Sequence, residues 1–170
     1  ILFAAAMQGR CQGRWMDAAL KQLAQSQHHR LQELQTINDT TPGSIHACTD
    51  VTGFGLLGHL NEMIHASPRI QVELDASQIP LMEGVQTLSE GGIASTAAPS
   101  NREAWRSLGS TVFLNEEANI NNQRSPQTTP ELLIDPQTCG PLLVSCDSVA
   151  ATKLVLQNWI SIGKAKSIDA

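Results

Sequence analysis

Residues 45–66 constrain this chain more than any other stretch. Ile45 to Thr49 is a short, largely apolar run that reads as the end of a buried strand, and Asp50 follows it at once. Thr52, Gly53 and Gly55 come next, and then Phe54, Leu57, Leu60, Met63 and Ile64 recur at three- and four-residue steps, the spacing of one helical face. The pattern predicts a strand, an acidic glycine turn, and a helix over 54–66. Such a turn aims backbone N–H groups and a helix N-terminus at one point, which suits a phosphate, and glycine removes the Cβ that blocks close approach. A carboxylate beside that point suits Mg²⁺, which takes oxygen ligands and is commonly shared between one or two carboxylates and a substrate phosphate. On spacing alone the plainer alternative is the stronger one: an acid and glycines between strand and helix are ordinary capping and turn chemistry. There is no GxxxxGK[ST] string, and Gly53-Phe-Gly55 is not a dinucleotide fingerprint.

The rest of the chain sets the bounds. Its 170 residues suit one domain with a real core. Aromatics make up 4% and tyrosine is missing, so that core must be aliphatic. Net charge is −5 with no long basic run, which removes the electrostatic footprint of a nucleic-acid binder. No apolar stretch reaches the length of a membrane span. The opening Ile-Leu-Phe-Ala-Ala-Ala-Met has no basic region before it, so it does not read as a signal peptide, and it does not begin with Met. The expectation is a piece of a longer chain. Cys11, Cys48, Cys139 and Cys146 form no CxxC pair, which favours reduced thiols and a cytoplasmic setting.

Along the chain, residues 2–8 read as a turn or two of helix. Arg14 to Leu34 reads as two helices broken near Ser26–His29, and Thr40–Gly43 as a turn. Ile70, Val72 and Leu74 alternate with polar residues as a half-buried strand does. Met82–Ser89 reads as a helix capped at Gly91 and Gly92, 93–100 as a loop, and Asn101–Leu108 as a short helix. Thr111–Leu114 and Leu142–Cys146 read as strands, Ser148–Trp159 as a helix, and Gly163–Ala170 as the start of a strand. Residues 115–130, rich in Asn, Gln and Pro, are expected to be the least ordered. The irregular alternation predicts an α+β class, a mixed sheet with packed helices.

Other chemistry is weaker. The five histidines lack zinc spacing; His59 and His65, six apart on one helix, do not converge on a ligand. Cys139 lies in the turn Thr138-Cys139-Gly140 with no base to name beside it, so it reads as a small residue in a turn rather than a nucleophile. Asp135 before Pro136 reads as a turn-fixing acid.

The string Thr-Asp-Val-Thr-Gly-Phe-Gly-Leu-Leu-Gly-His-Leu at 49–60 resembles the signature of the selenophosphate synthetase (selenide, water dikinase) family. Asp135-Pro-Gln-Thr-Cys-Gly-Pro-Leu-Leu-Val144 resembles a second block of that family, with Cys139 in place of Ser and Pro141 in place of Gly. The resemblance covers nearly the whole of 1–170, as a single C-terminal domain like that of aminoimidazole ribonucleotide synthetase. It implies an N-terminal half elsewhere that carries the catalytic Cys or selenocysteine and most ligands for ATP and Mg²⁺. It implies synthesis of selenophosphate from selenide, ATP and water, and a homodimer. It assigns a Mg²⁺-ligand role to Asp50, a turn-shaping role to Thr49, Thr52 and Gly53, and places Asn101, Thr138, Cys139 and Gly140 near nucleotide or phosphate. No catalytic residue is implied within this stretch. Two other readings stay open: a related ATP-dependent synthetase acting on a purine-type intermediate, and a degenerate domain kept for oligomerisation. Pro141 has no N–H, and is expected to face away from the nucleotide and open the 142–146 strand.

Overall fold

The computed structural model describes residues 1–67, 69–107, 111–115 and 128–168. The chain opens with α1 (Leu2–Met7), α2 (Gly13–Leu23) and α3 (His28–Thr40). Next come β1 (Ile45–Asp50), α4 (Gly55–His65), β2 (Ile70–Asp75), α5 (Val85–Glu90) and α6 (Ala98–Ser107). β3 (Val112–Asn115), α7 (Pro130–Leu133), β4 (Leu142–Cys146), α8 (Ser148–Leu156) and β5 (Gly163–Ser167) complete the order. The class is α+β, as the irregular alternation predicts, but the strands divide into two sheets. β1 and β4 form an antiparallel pair; β2 lies between β3, parallel, and β5, antiparallel.

Three aliphatic clusters follow that division. α4, β2 and β3 meet around Leu57, Leu60, Val72, Leu74 and Val112, with Leu133 and Ile134 closing the cluster. α3 and α8 cover the two-stranded sheet through Leu34, Ile37, Ala150 and Leu154. α1, α2 and α5 gather around Ala5, Trp15, Ala19 and Leu88. Leu57 is fully buried, so truncating it to Ala removes apolar contacts worth about 2–5 kcal/mol.

One burial pattern and three boundaries depart from expectation for local reasons. β1 is not a buried strand: its residues alternate between half-buried and exposed. α5 begins at Val85 rather than Met82, after Gly84. α6 begins at Ala98, inside the expected loop. Ser95 Oγ accepts from the Ala97 N–H at 3.2 Å, and Pro99 falls in the first turn, where a missing N–H costs nothing. α8 stops at Leu156, short of Trp159. Asn158 adopts a left-handed φ of 63°, and the Trp159 N–H turns back to the Leu154 carbonyl at 3.0 Å, the usual way to end a helix. The expected ends at Leu108 and Ala170, and most of the Asn-rich stretch (116–127), lie outside the described residues.

One irregularity in β1 matters for the site. Ile45 pairs with Cys146, yet Ala47 pairs with Ser145, so His46 is an extra residue that shifts the alternation. Beyond it Cys48 stands opposite Val144 and Asp50 opposite Leu142. Cross-strand partners share a face, and Leu142 and Val144 pack toward α3 and α8. The bulge therefore turns Cys48 and Asp50 toward the α3 side of the sheet.

Candidate functional site

Asp50 is the last residue of β1 and is exposed. Val51, buried, anchors the chain directly after it. The turn Thr52-Gly53-Phe54 then leads into α4, with the Gly55 N–H donating to the Thr52 carbonyl at 3.0 Å. The two sequence motifs, far apart in the chain, are tied together here. The Val51 N–H donates to the Pro141 carbonyl at 2.9 Å, and the Gln137 N–H to the Thr52 carbonyl at 2.9 Å. From beneath, the buried Asn101 amide donates to the carbonyls of Gly53 at 3.0 Å and Ile134 at 2.9 Å.

Two glycines make this approach feasible. Gly55 has φ +66°, and a Cβ there would lie 2.6 Å from the Ile134 carbonyl carbon. A Cβ on Gly140 would overlap the Val51 carbonyl oxygen. Both serve the packing of one motif on the other. Gly53, in the first motif, faces open space, with nothing within 4 Å of an added Cβ.

Between this double turn and the α2–α3 connection lies a groove of about 540 Å³. Thr49, Asp50, Thr52, Thr138, Cys139 and Gly140 all line it, so six of the eight residues singled out from sequence share one surface. Gly53 and Asn101 are not among the lining residues. Asn101 acts from below through the two carbonyls it holds. Pro141 stands exposed just before β4, also outside the lining, and only its carbonyl is engaged. The opposite wall, built from Leu23, Gln25, Gln27 and Leu31, carries no sequence signal; Gln27 Nε2 reaches the Gly140 carbonyl at 3.5 Å. Cys48 lines the groove as well. Burial, with help from the Asp50 carboxylate, pushes its thiol above the ordinary range, so it rests as a thiol. Asp135 does not line the groove. Its carboxylate accepts from the Ile1 nitrogen at 2.8 Å, and burial raises its pKa above the usual value.

Phe54 is not on the buried face of α4. It is 53% exposed and its ring lies 5.7 Å from that of His59. The absent Cβ at Gly58 leaves room for it, since a Cβ there would overlap the Phe54 side chain. His59, which the sequence weighed only as a metal ligand, is buried beneath it. Its Nε2 lies 3.0 Å from Thr52 Oγ1 and its Nδ1 lies 3.0 Å from Glu62 Oε2. The i, i+3 spacing of His59 and Glu62 was a visible signal for half of this chain of contacts; the reach back to Thr52 was not.

The oxygen donors at the groove suit a hard cation, but only as part of a shared site. Among the described residues no group of three or more His, Cys, Asp and Glu could hold a metal ion. One carboxylate with hydroxyl and carbonyl oxygens fits Mg²⁺ that is also held by phosphate and other ligands. Among the described residues no helix is long and apolar enough to cross a membrane.

Comparison with known proteins adds the following. Residues 5–157 match the family described as AIR synthase related protein, C-terminal domain. The chain is similar to the selenide, water dikinase of Pseudomonas straminea, 38% identical over 123 residues, which is 72% of this chain and 31% of that protein. It is 40% identical over 111 residues to that of Rhizobium meliloti, covering 65% of this chain and 29% of the relative. The corresponding protein of Treponema denticola is 38% identical over 110 residues, 65% of this chain and 28% of the relative. The chain thus spans less than a third of each of these relatives.

Proposed function

This chain belongs to the AIR synthase related protein, C-terminal domain family, and from that membership we propose that it is the C-terminal domain of a selenide, water dikinase. The full enzyme makes selenophosphate from selenide, ATP and water. The upstream half supplies the nucleophile and most ligands for ATP and Mg²⁺; this domain supplies one wall of the cleft. The observation that carries the reading is the groove, where both motifs converge on Asp50.

Phosphoryl transfer depends on positioning and on neutralising phosphate charge more than on covalent chemistry. Mg²⁺ supplies that neutralisation when bound. Asp50 offers it one carboxylate from a strand end whose neighbour Val51 is locked by a ladder bond and burial. Thr49 and Thr52 flank that carboxylate, while Thr138, Cys139 and Gly140 form the adjoining rim, with Gly53 at the open turn. Asn101 holds the turn in place. The assembly works in the cytoplasm as a homodimer of full-length chains, with the upstream half as the partner of this surface.

The test is selenide-dependent AMP release, measured on this chain alone and on the chain joined to its upstream half. Release is expected only from the joined protein; release from the 170 residues alone would overturn the division of labour. The family match also favours a second reading, an ATP-dependent synthetase acting on a purine-type intermediate. A glycine-rich upstream segment without Cys or selenocysteine near a Lys would select it.

A further inference from the structure

Thr52 is held on every side but one. Its carbonyl accepts from the N–H groups of both Gly55 and Gln137, so the backbone is fixed. Only the hydroxyl can rotate, and it meets His59 Nε2 at 3.0 Å. The ring of His59 is buried, roofed by Phe54, and tied at Nδ1 to Glu62, a side chain that stands 57% exposed. A carboxylate accepts hydrogen bonds and does not donate them. The hydrogen between His59 and Glu62 therefore sits on Nδ1. In the neutral ring this leaves Nε2 as an acceptor, so the Thr52 hydroxyl must donate its hydrogen to Nε2. What Thr52 then presents to the groove is oxygen lone pairs.

We propose that His59 is a positioning residue: as the Nδ1–H tautomer, fixed by Glu62, it polarises the Thr52 hydroxyl so that the groove beside Asp50 offers Thr52 as an acceptor. Position 52 then recognises a hydrated divalent cation and turns phosphate oxygen away. This rests on the Asp50 reading above and assigns Thr52 to the cation rather than to the phosphate. The groove side of the glycine turn thereby carries acceptor oxygens at residues 50 and 52, while Gly53 stands outside the groove lining.

The first measurement is ring ¹⁵N NMR of the chain at neutral pH. His59 is expected to show a protonated Nδ1 and an unprotonated Nε2. In Glu62→Gln, whose amide can donate as well as accept, part of the proton moves to Nε2; Glu62 is exposed, so this variant keeps the fold. A proton on Nε2 in the unsubstituted chain, or a ring unchanged by Glu62→Gln, overturns the positioning role. The second measurement follows the Thr52 methyl signal of the chain joined to its upstream half on adding Mg²⁺ or inorganic phosphate separately at equal ionic strength. Mg²⁺ is expected to shift it, Thr52→Ser to keep the Mg²⁺ response at neighbouring amides, and Thr52→Val to reduce that response several-fold. A shift with phosphate alone, or with neither, overturns the cation assignment. In Asp50→Asn the ring signature must persist while the Mg²⁺ response falls. Failure of the metal reading therefore shows in the Mg²⁺ arm, and failure of the positioning role shows in the ring signals.

Discussion

Replacing Asn101 by Asp tests how the site is held. The change is nearly isosteric, so it opens no cavity, but it exchanges two N–H donors for an acceptor. Asn101 is 4% exposed, and both its hydrogen bonds, to Gly53 O at 3.0 Å and Ile134 O at 2.9 Å, would be lost. Each such bond contributes about 1 kcal/mol net, and each carbonyl left buried without a partner costs about 1–3 kcal/mol. Some relief comes from water at the Gly53 side, since Gly53 itself is exposed. A total near 3 kcal/mol is a reasonable expectation, and for a domain of this size it lowers Tm by roughly 6–12 °C. Thermal melting followed by circular dichroism measures it on the purified chain. Asn101→Ala, which removes the donors without adding charge, should fall by less than Asn101→Asp. If Asn101→Asp melts within about 1 °C of the unsubstituted chain, the two carbonyls are not held by this amide and the account of the tied motifs fails.

Further outcomes follow from the same geometry. Asp50→Asn in the full-length protein should leave melting nearly unchanged, because the side chain is exposed and isosteric, while reducing selenide-dependent AMP release by more than tenfold through loss of a charged ligand. Near-normal turnover would leave Asp50 as a turn residue. Gly55→Ala should destabilise by more than about 2 kcal/mol, read by urea unfolding, since it combines a left-handed φ with a backbone overlap at Ile134. Glu33 gives a pH dependence. Burial raises its pKa, but the hydrogen bonds from Trp159 and Arg30 and the nearby charges outweigh burial, so the folded value lies below the ordinary 4.5. Its contribution is present above 4.5 and is lost as pH falls through the lower folded value; Glu33→Gln should flatten the acid limb of a stability-versus-pH curve followed by urea unfolding.

Much of the fold was legible because its elements bury one face each. The alternation of Ile70, Val72 and Leu74, and the three- and four-residue steps of Leu57, Leu60 and Ile64, leave few alternatives to strand and helix. Phe54 misled because its spacing fits the helical face, whereas the missing Cβ of Gly58 lets it fold outward over His59. Six of the residues named from sequence share the groove because a motif keeps neighbours together. The remaining wall was not legible, since Leu23, Gln27 and Leu31 flank a helix break with no chemical signature. The bulge at His46 was also hidden: strict alternation from Ile45 would place Asp50 on the opposite face. Nor did sequence reveal that Gly55 and Gly140 serve the joining of two turns.

The pairing of Asp50 with Leu142 brings together residues far apart along the chain. In the unfolded polymer, closing a loop of about 90 residues costs roughly 4 kcal/mol in entropy. That cost must be met before the ladder returns anything, so the groove is a late product of folding, built after local helices have formed. The same logarithm makes the intervening chain permissive. Doubling its length adds only about 0.6 kcal/mol, so insertions between the two motifs can reshape the β2–β3 side of the molecule while Asp50 keeps its place.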